Sequence, residues 1–181
     1  MGSLFVAAAA AQEFPLPCRF VTGESDGINQ TENCANRREN RIEVSKKVLS
    51  KMSLSADGLA QALIDHSWYY VKRDGSTLPV ITFDNGADYF SEGLVRARID
   101  GKIAYFDAQF KQIIPPKYDW AWPFENGKAL VCLGCAEPAP NGEEHRMMEG
   151  GRWGYIDHNG REIVSVTHSR DEIMKLERGE H

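Results

Sequence analysis

Nothing in the 181 residues approaches the roughly 20 consecutive apolar positions that a membrane-crossing helix requires. A basic excess is also lacking. With 21 Lys and Arg against 26 Asp and Glu the net charge is −5, which argues against nucleic acid as the partner, because such binders need a basic footprint. One basic cluster exists, at Arg37, Arg38, Arg41, Lys46, Lys47 and Lys51, but Glu39 and Glu43 interrupt it, so it reads as a solvated, charge-balanced face. No glycine-rich phosphate loop, Gly-x-Ser-x-Gly elbow or His-Glu-x-x-His pair occurs. The signatures of phosphate binding, serine hydrolysis and zinc peptidases are therefore missing.

What the chain does have is a pattern restated about every 35 residues. The clearest copy runs from Tyr89 as YFSEGLVRARIDGKIAYFDAQFKQIIPP; the next starts at Pro123 as PFENGKALVC and resumes as GGRWGYIDHNGREIV. Gly93 and Gly127 are 34 positions apart, as are Phe90 and Phe124, whereas Gly58 to Gly93 and Tyr70 to Tyr105 are 35. Tyr105 to Tyr155 is 50, which places about 15 additional residues between Cys132 and Gly151. A period of this length means one supersecondary unit used repeatedly, each copy burying its apolar face on the next.

Within a copy the period is two. Trp153, Tyr155 and Asp157 share one parity, Gly154 and Ile156 the other. Tyr70-Val71 and Tyr105-Phe106 repeat the mixture of aromatic and apolar side chains that suits a pleated surface. Asp74-Gly75, Asp100-Gly101 and Asn159-Gly160 supply turns that tolerate positive φ. The fold class expected is mainly all-β: tandem stacked antiparallel hairpins of about 35 residues, closed by a short C-terminal helix. Residues 54–64 (LSADGLAQALI) have helical spacing, with Ser-x-x-Asp as a cap, but the register sets Gly58-Leu59-Ala60 on Gly93-Leu94-Val95, so they are read as strand. IEVSKKVLSKM reads as a strand followed by a helical turn. The stretch after His168 reads as a helix capped by Ser169, with Ile173 and Leu176 on one face. The organisation expected is a signal-like segment at 1–11, an N-terminal cap at 12–53, repeats over 54–166 with an insertion at 136–150, and a helical tail at 167–181.

LFVAAAAA resembles the apolar core of a secretory signal, and Ala9-Ala10-Ala11 fits a cleavage site that leaves Gln12 first, although the basic start of such signals is absent. An alanine-rich helix is the alternative. Export, to a bacterial periplasm or the outside, agrees with the cysteines. Four thiols allow three pairings; the economical one joins Cys18 to Cys34 and Cys132 to Cys135. The first bridge would close about 16 residues and contribute roughly 3 kcal/mol in the chain-entropy picture.

The segments GGRWGYIDHNGREIV, IIPPKYDWAWPFENGKALV and YFSEGLVRARIDGKIAYFD resemble the WG-repeat family of bacterial proteins, named for the pair kept here as Trp153-Gly154. The resemblance covers 57–164, with Trp68-Tyr69 and Ile103-Ala104 standing where Trp-Gly is expected. It implies a β-rich repeat fold in exported or surface-associated proteins, and it brings no catalytic residues.

Candidate chemistry is sparse. Cys132-Leu133-Gly134-Cys135 could be a dithiol redox site, but such sites use a helix N-terminus and this one follows the strand-like Ala129-Leu130-Val131. A zinc site would take His145 as a third ligand, but a tetrahedral site needs four and no second Cys pair is left once Cys18 and Cys34 are set aside. A structural disulfide at the neck of the insertion is the reading adopted. Glu143, Glu144, His145 and Arg146 in that insertion read as loop charge without an apolar partner to shift a pKa. His66, His158 and His168 read as isolated surface residues. Tyr118, Trp120, Trp122 and Phe124 alternate, which places four rings on one face of an extended chain. Tyr118 and Phe124 recur in the repeat and read as core. Trp120 and Trp122 do not recur, and for them core packing and an exposed binding surface stand level.

The function expected is a non-enzymatic exported protein without cofactor or metal. It would contact another protein through Trp120, Trp122 and the insertion, with no nucleic acid and no integral membrane segment. The alternatives are an inhibitor or immunity-type protein that neutralises a secreted effector, a CxxC redox or zinc protein, and a cell-wall or carbohydrate binder.

Overall fold

The computed structural model describes residues 13–23, 27–39, 41–138 and 148–179, and these are mostly strand. The signal-like segment 1–11 and the charged residues Glu143, Glu144, His145 and Arg146 lie outside the described residues. Two compact units divide the chain, Met1–Thr77 and Leu78–His181.

The first unit holds β1 (Leu16–Val21), β2 (Ile28–Arg38), β3 (Arg41–Val44), the one-turn α1 (Lys46–Leu49), β4 (Leu59–Ile64) and β5 (Ser67–Lys72). Its strands lie antiparallel in the order β3-β2-β1-β4-β5, and β6 (Thr77–Pro79) starts at the unit's last residue. Residues 59–64 are indeed strand: Leu59 to Ile64 pair with Lys72 to Ser67, which a helix would forbid, so the register overrode the helical spacing. Ser45 caps α1 by accepting from the Val48 N–H. The core of this unit is Phe20, Ile42, Val44, Val48, Ala62, Ile64 and Val71 around the Cys18–Cys34 bridge, whose Cα atoms are 5.7 Å apart. Within the basic cluster, Arg37 pairs with Asp65 at 3.3 Å and Arg38 with Glu43 at 3.7 Å, both exposed.

The second unit opens with a small hairpin, β7 (Thr82–Phe83) and β8 (Gly86–Ala87). It continues with β9 (Val95–Ile99), β10 (Lys102–Phe106) and β11 (Gln112–Tyr118), which form a three-stranded sheet in the order β11-β10-β9. The chain then enters β12 (Trp120–Ala121), β13 (Ala129–Ala136), β14 (Glu149–Ile156) and β15 (Glu162–His168), a four-stranded meander. α2 (Arg170–Arg178) follows, with a capping box between Ser169 and Glu172. Ile103, Tyr105, Ile114 and Tyr118 of the first sheet share one core with Ala121, Val131, Ile156 and Val166 of the second. The opposite face of the meander carries Cys132, Trp153 and Tyr155, and Ile173 of α2 is buried among them. The terminal helix thus covers an apolar face that another hairpin would otherwise have to cover.

The two complete copies repeat one irregularity. Ile103 faces Tyr118 and Tyr105 faces Ile114, so the residues around Pro115 and Pro116 bulge opposite Ala104. Trp153 faces His168 and Tyr155 faces Val164, so the same bulge lies opposite Gly154. Prolines have no N–H to lose from a ladder, and a bulge is where they fit. The bulge also explains the small residue: a Cβ on Gly154 would stand 2.5 Å from the Val164 carbonyl oxygen and 2.7 Å from that of Ser165. The aspartates that follow the aromatic strands are turn formers. Asp107 Oδ1 accepts from the Gln109 and Lys111 N–H groups, and Asp157 Oδ1 from those of Asn159 and Arg161, each at 2.9 Å.

Candidate functional site: an aromatic groove beside the terminal helix

A groove of about 740 Å³ opens in the second unit between the Tyr89–Ser91 segment, the Trp122–Lys128 segment and α2. Each wall has a local cause. Arg170, Met174 and Glu177 recur at helical spacing on α2 and face the groove, while Ile173 points into the core. Leu130 and Tyr155, neighbours across the β13–β14 ladder, line it from the meander. Phe83 and Tyr89 flank it as an edge-to-face pair with centroids 5.4 Å apart, and they are 41% and 46% exposed. Two large rings left this open are beyond what the repeat needs for its core.

The wall that carries Phe83 is fixed by a buried ion pair. Arg96 Nη2 donates to Asp88 Oδ1 at 2.5 Å and its Nε to Oδ2 at 3.0 Å, while Nη1 donates to the Ala121 carbonyl at 2.8 Å. The guanidinium lies over the rings of Phe83 (5.4 Å) and Trp120 (5.8 Å), which joins the small hairpin to the sheet through one side chain.

The floor is set by contacts that pass between copies. The Ser91 hydroxyl donates to the Phe124 carbonyl at 2.6 Å, and a Glu92 carboxylate oxygen accepts from the Gly127 N–H at 3.1 Å. His158 is not isolated, contrary to the sequence expectation. Its ring stacks on Phe124 with centroids 4.3 Å apart, and its Nε2 lies 3.0 Å from Glu92. Spacing alone hides this, because the partners are 34 and 66 positions away. Tyr105 donates its hydroxyl to the Trp122 carbonyl at 2.6 Å, and burial pushes its phenol well above the usual range.

The four alternating rings do not line one surface. Tyr118 and Phe124 sit in the core with Ala121, because the chain bends at Asp119 and β12 is only two residues long. Trp120 and Trp122 are both half-buried and touch edge-to-face at 5.8 Å, but they look into different spaces. Trp122 stacks toward Trp153 at 5.5 Å and lines the groove. Trp120 lies beneath Arg98 (5.6 Å) and lines a separate cleft of about 250 Å³ with Asp119, Cys135 and Met148. In that cleft the Lys102 ammonium, and then the Gly134 N–H, hold the Asp119 carboxyl below its ordinary range. Their contacts with it are both 2.7 Å.

Cys132 and Cys135 are joined, and both lie within β13 rather than after it. Gly134, at φ +74°, turns the strand so that positions three apart meet. The ends of the insertion are strand as well, since Cys135 pairs with Gly150 and Ala136 with Glu149. Among the described residues no group of three His, Cys, Asp or Glu side chains could hold a metal ion. Phe83, Tyr89 and Tyr155 were not singled out by sequence as site residues; the open ring pair has no periodic signature.

Residues 104–134 and 153–166 match the family model described as WG containing repeat. The matched segments contain the first bulge with Ala104 opposite it, Cys132, and the Trp153-Gly154 pair; the first ends one residue before Cys135 and the second within the other bulge. No curated protein and no solved structure matches the chain.

Proposed function

We propose that this WG-repeat chain is an exported, non-enzymatic protein that binds a protein partner through the groove beside its terminal helix. One observation carries the reading: Phe83 and Tyr89 stay open to solvent on a wall held by a fully buried ion pair, opposite Trp122 and Tyr155. Half-exposed aromatics on a rigid frame are the usual anchors of protein recognition. They give large contact area with little side-chain entropy to lose. In this reading Trp122 is kept at the contact, and Trp120 packs against the Arg96 and Arg98 guanidinium groups.

Several features support the rest of the reading. Two disulfides suit an oxidising compartment such as the periplasm or the exterior. Among the described residues no helix is long and apolar enough to cross a membrane. The carboxylates with depressed pKa are each accounted for locally: Asp74 and Asp157 by turn hydrogen bonds, Glu162 by Lys117, Asp119 by Lys102, and Glu172 by the Ser169 N–H of the capping box. None of them lines the groove.

The test is capture of a binding protein on the immobilised chain, compared with the Phe83→Ala, Tyr89→Ala double variant. Both rings are surface-exposed, so the fold is expected to survive, with an unchanged far-ultraviolet spectrum. The captured protein should be lost. Equal capture by the variant would remove the groove as the contact.

A further inference from the structure

We infer that the groove accepts an extended segment bearing arginine or lysine side chains, with a guanidinium or ammonium group seated against the Tyr89 ring near Glu125. This rests on the partner-binding reading above and adds the charge class of the partner.

The charge distribution points this way first. Residues 1–77 contain nine basic and nine acidic side chains, and residues 78–181 twelve and seventeen, so the whole net charge of −5 belongs to the unit that holds the groove. A field of one sign around a cleft raises the local concentration of the opposite charge.

The groove's own charges agree. Two cations face it, and both already have partners. Lys128 lies 4.3 Å over the Tyr155 ring and 3.7 Å from Glu177, and Arg170 lies 5.9 Å over the Trp153 ring. Glu125 is exposed on the turn at the groove's edge and enters no ion pair among the described residues. An acidic segment would meet Glu125 and a negative unit, with only the already engaged Lys128 and Arg170 to receive it. A basic one finds a carboxylate and open ring surface together.

The rings suit the same chemistry. Tyr89 meets Phe83 at an interplanar angle of 74°, edge to face, so it is held upright without a parallel ring stacked on it by that partner. The unit already uses this recognition internally, with Arg96 over Phe83 and both Arg96 and Arg98 over Trp120. At about 740 Å³ the groove has room for more than one side chain, enough for a short extended segment.

The experiment titrates the full chain into fluorescein-labelled Gly-Ser-Pro peptides of equal length that carry two arginines, two glutamates or no charge, read by anisotropy. The arginine peptide should bind about tenfold more tightly than the uncharged one, and the glutamate peptide least of all. Added salt should weaken the arginine peptide, and Tyr89→Ala and Glu125→Gln should each weaken it about three- to tenfold. Binding of the uncharged or glutamate peptide as tight as that of the arginine peptide would overturn the inference. So would arginine-peptide binding unchanged in the Tyr89→Ala, Glu125→Gln double variant, which would mean diffuse attraction elsewhere on an acidic surface. Either result alongside a captured partner that depends on Phe83 and Tyr89 overturns the charge class and leaves the partner-binding reading standing.

Discussion

Asp88 and Arg96 bury a complete salt bridge: the two side chains are 0% and 1% exposed, and the carboxylate receives the guanidinium through both oxygens. Removing one member leaves the other charge stranded in the core, a loss of about 3–5 kcal/mol. Asp88→Ala should therefore destabilise the protein strongly in urea. The Asp88→Ala, Arg96→Met double variant should recover part of that loss. A double variant as unstable as the single one would show that packing, and not the uncompensated charge, dominates at this position.

Gly154 tests the bulge that recurs in both complete copies. Gly154→Ala places a methyl group inside the contact distance of two carbonyl oxygens, and a cost near 3 kcal/mol, the upper end for overpacking, is expected. Gly93→Ala is the comparison. Nothing lies within 4 Å there, and only the positive φ of 82° opposes a side chain, so about 1–2 kcal/mol is expected. Thermal unfolding of the two variants ranks them.

Two buried tyrosines should respond oppositely to loss of the hydroxyl. Tyr105→Phe breaks the bond to the Trp122 carbonyl and should cost about 1 kcal/mol. Tyr118 buries its hydroxyl without a well-formed hydrogen bond, only the Lys117 ammonium, 5.0 Å from the ring centroid, interacting with it. Tyr118→Phe should accordingly be neutral or stabilising. Paired urea titrations decide both.

Asp119 makes stability depend on acid. Lys102, and then the Gly134 N–H, depress its folded-state pKa, so the folded chain gives up this carboxylate's proton more readily than the unfolded chain does. Its contribution is present above the unfolded carboxylate pKa, near 4, and is lost as pH falls through the lower folded value. Asp119→Asn should lower stability at neutral pH and flatten the acid limb of the stability curve. An unchanged limb would assign acid unfolding to other carboxylates.

The strand content, the turns and the terminal helix were legible because each rests on a local signal. Examples are the alternation around Trp153 and Tyr155, the Asp100-Gly101 turn in which both residues have positive φ, and the Ser169 cap that meets Glu172. The groove was not legible. It brings together Tyr89, Trp122 and Met174, which no periodicity links, and its strongest constraint is the contact between Asp88 and Arg96. That Trp120 and Trp122 line different clefts was not legible for a related reason. Parity describes a straight strand, and the chain bends at Asp119, between β11 and β12.

The position of α2 bears on how copies of this protein can associate. Head-to-tail stacking of identical chains through a surface that never closes on itself yields fibres. Exposed repeat faces invite such growth. By burying Ile173 against Trp153 and Tyr155, the helix covers an apolar face of the meander, and its exposed side carries Lys175 and Arg178 with Leu176 between them. A further chain reaching for that face would first have to displace the helix.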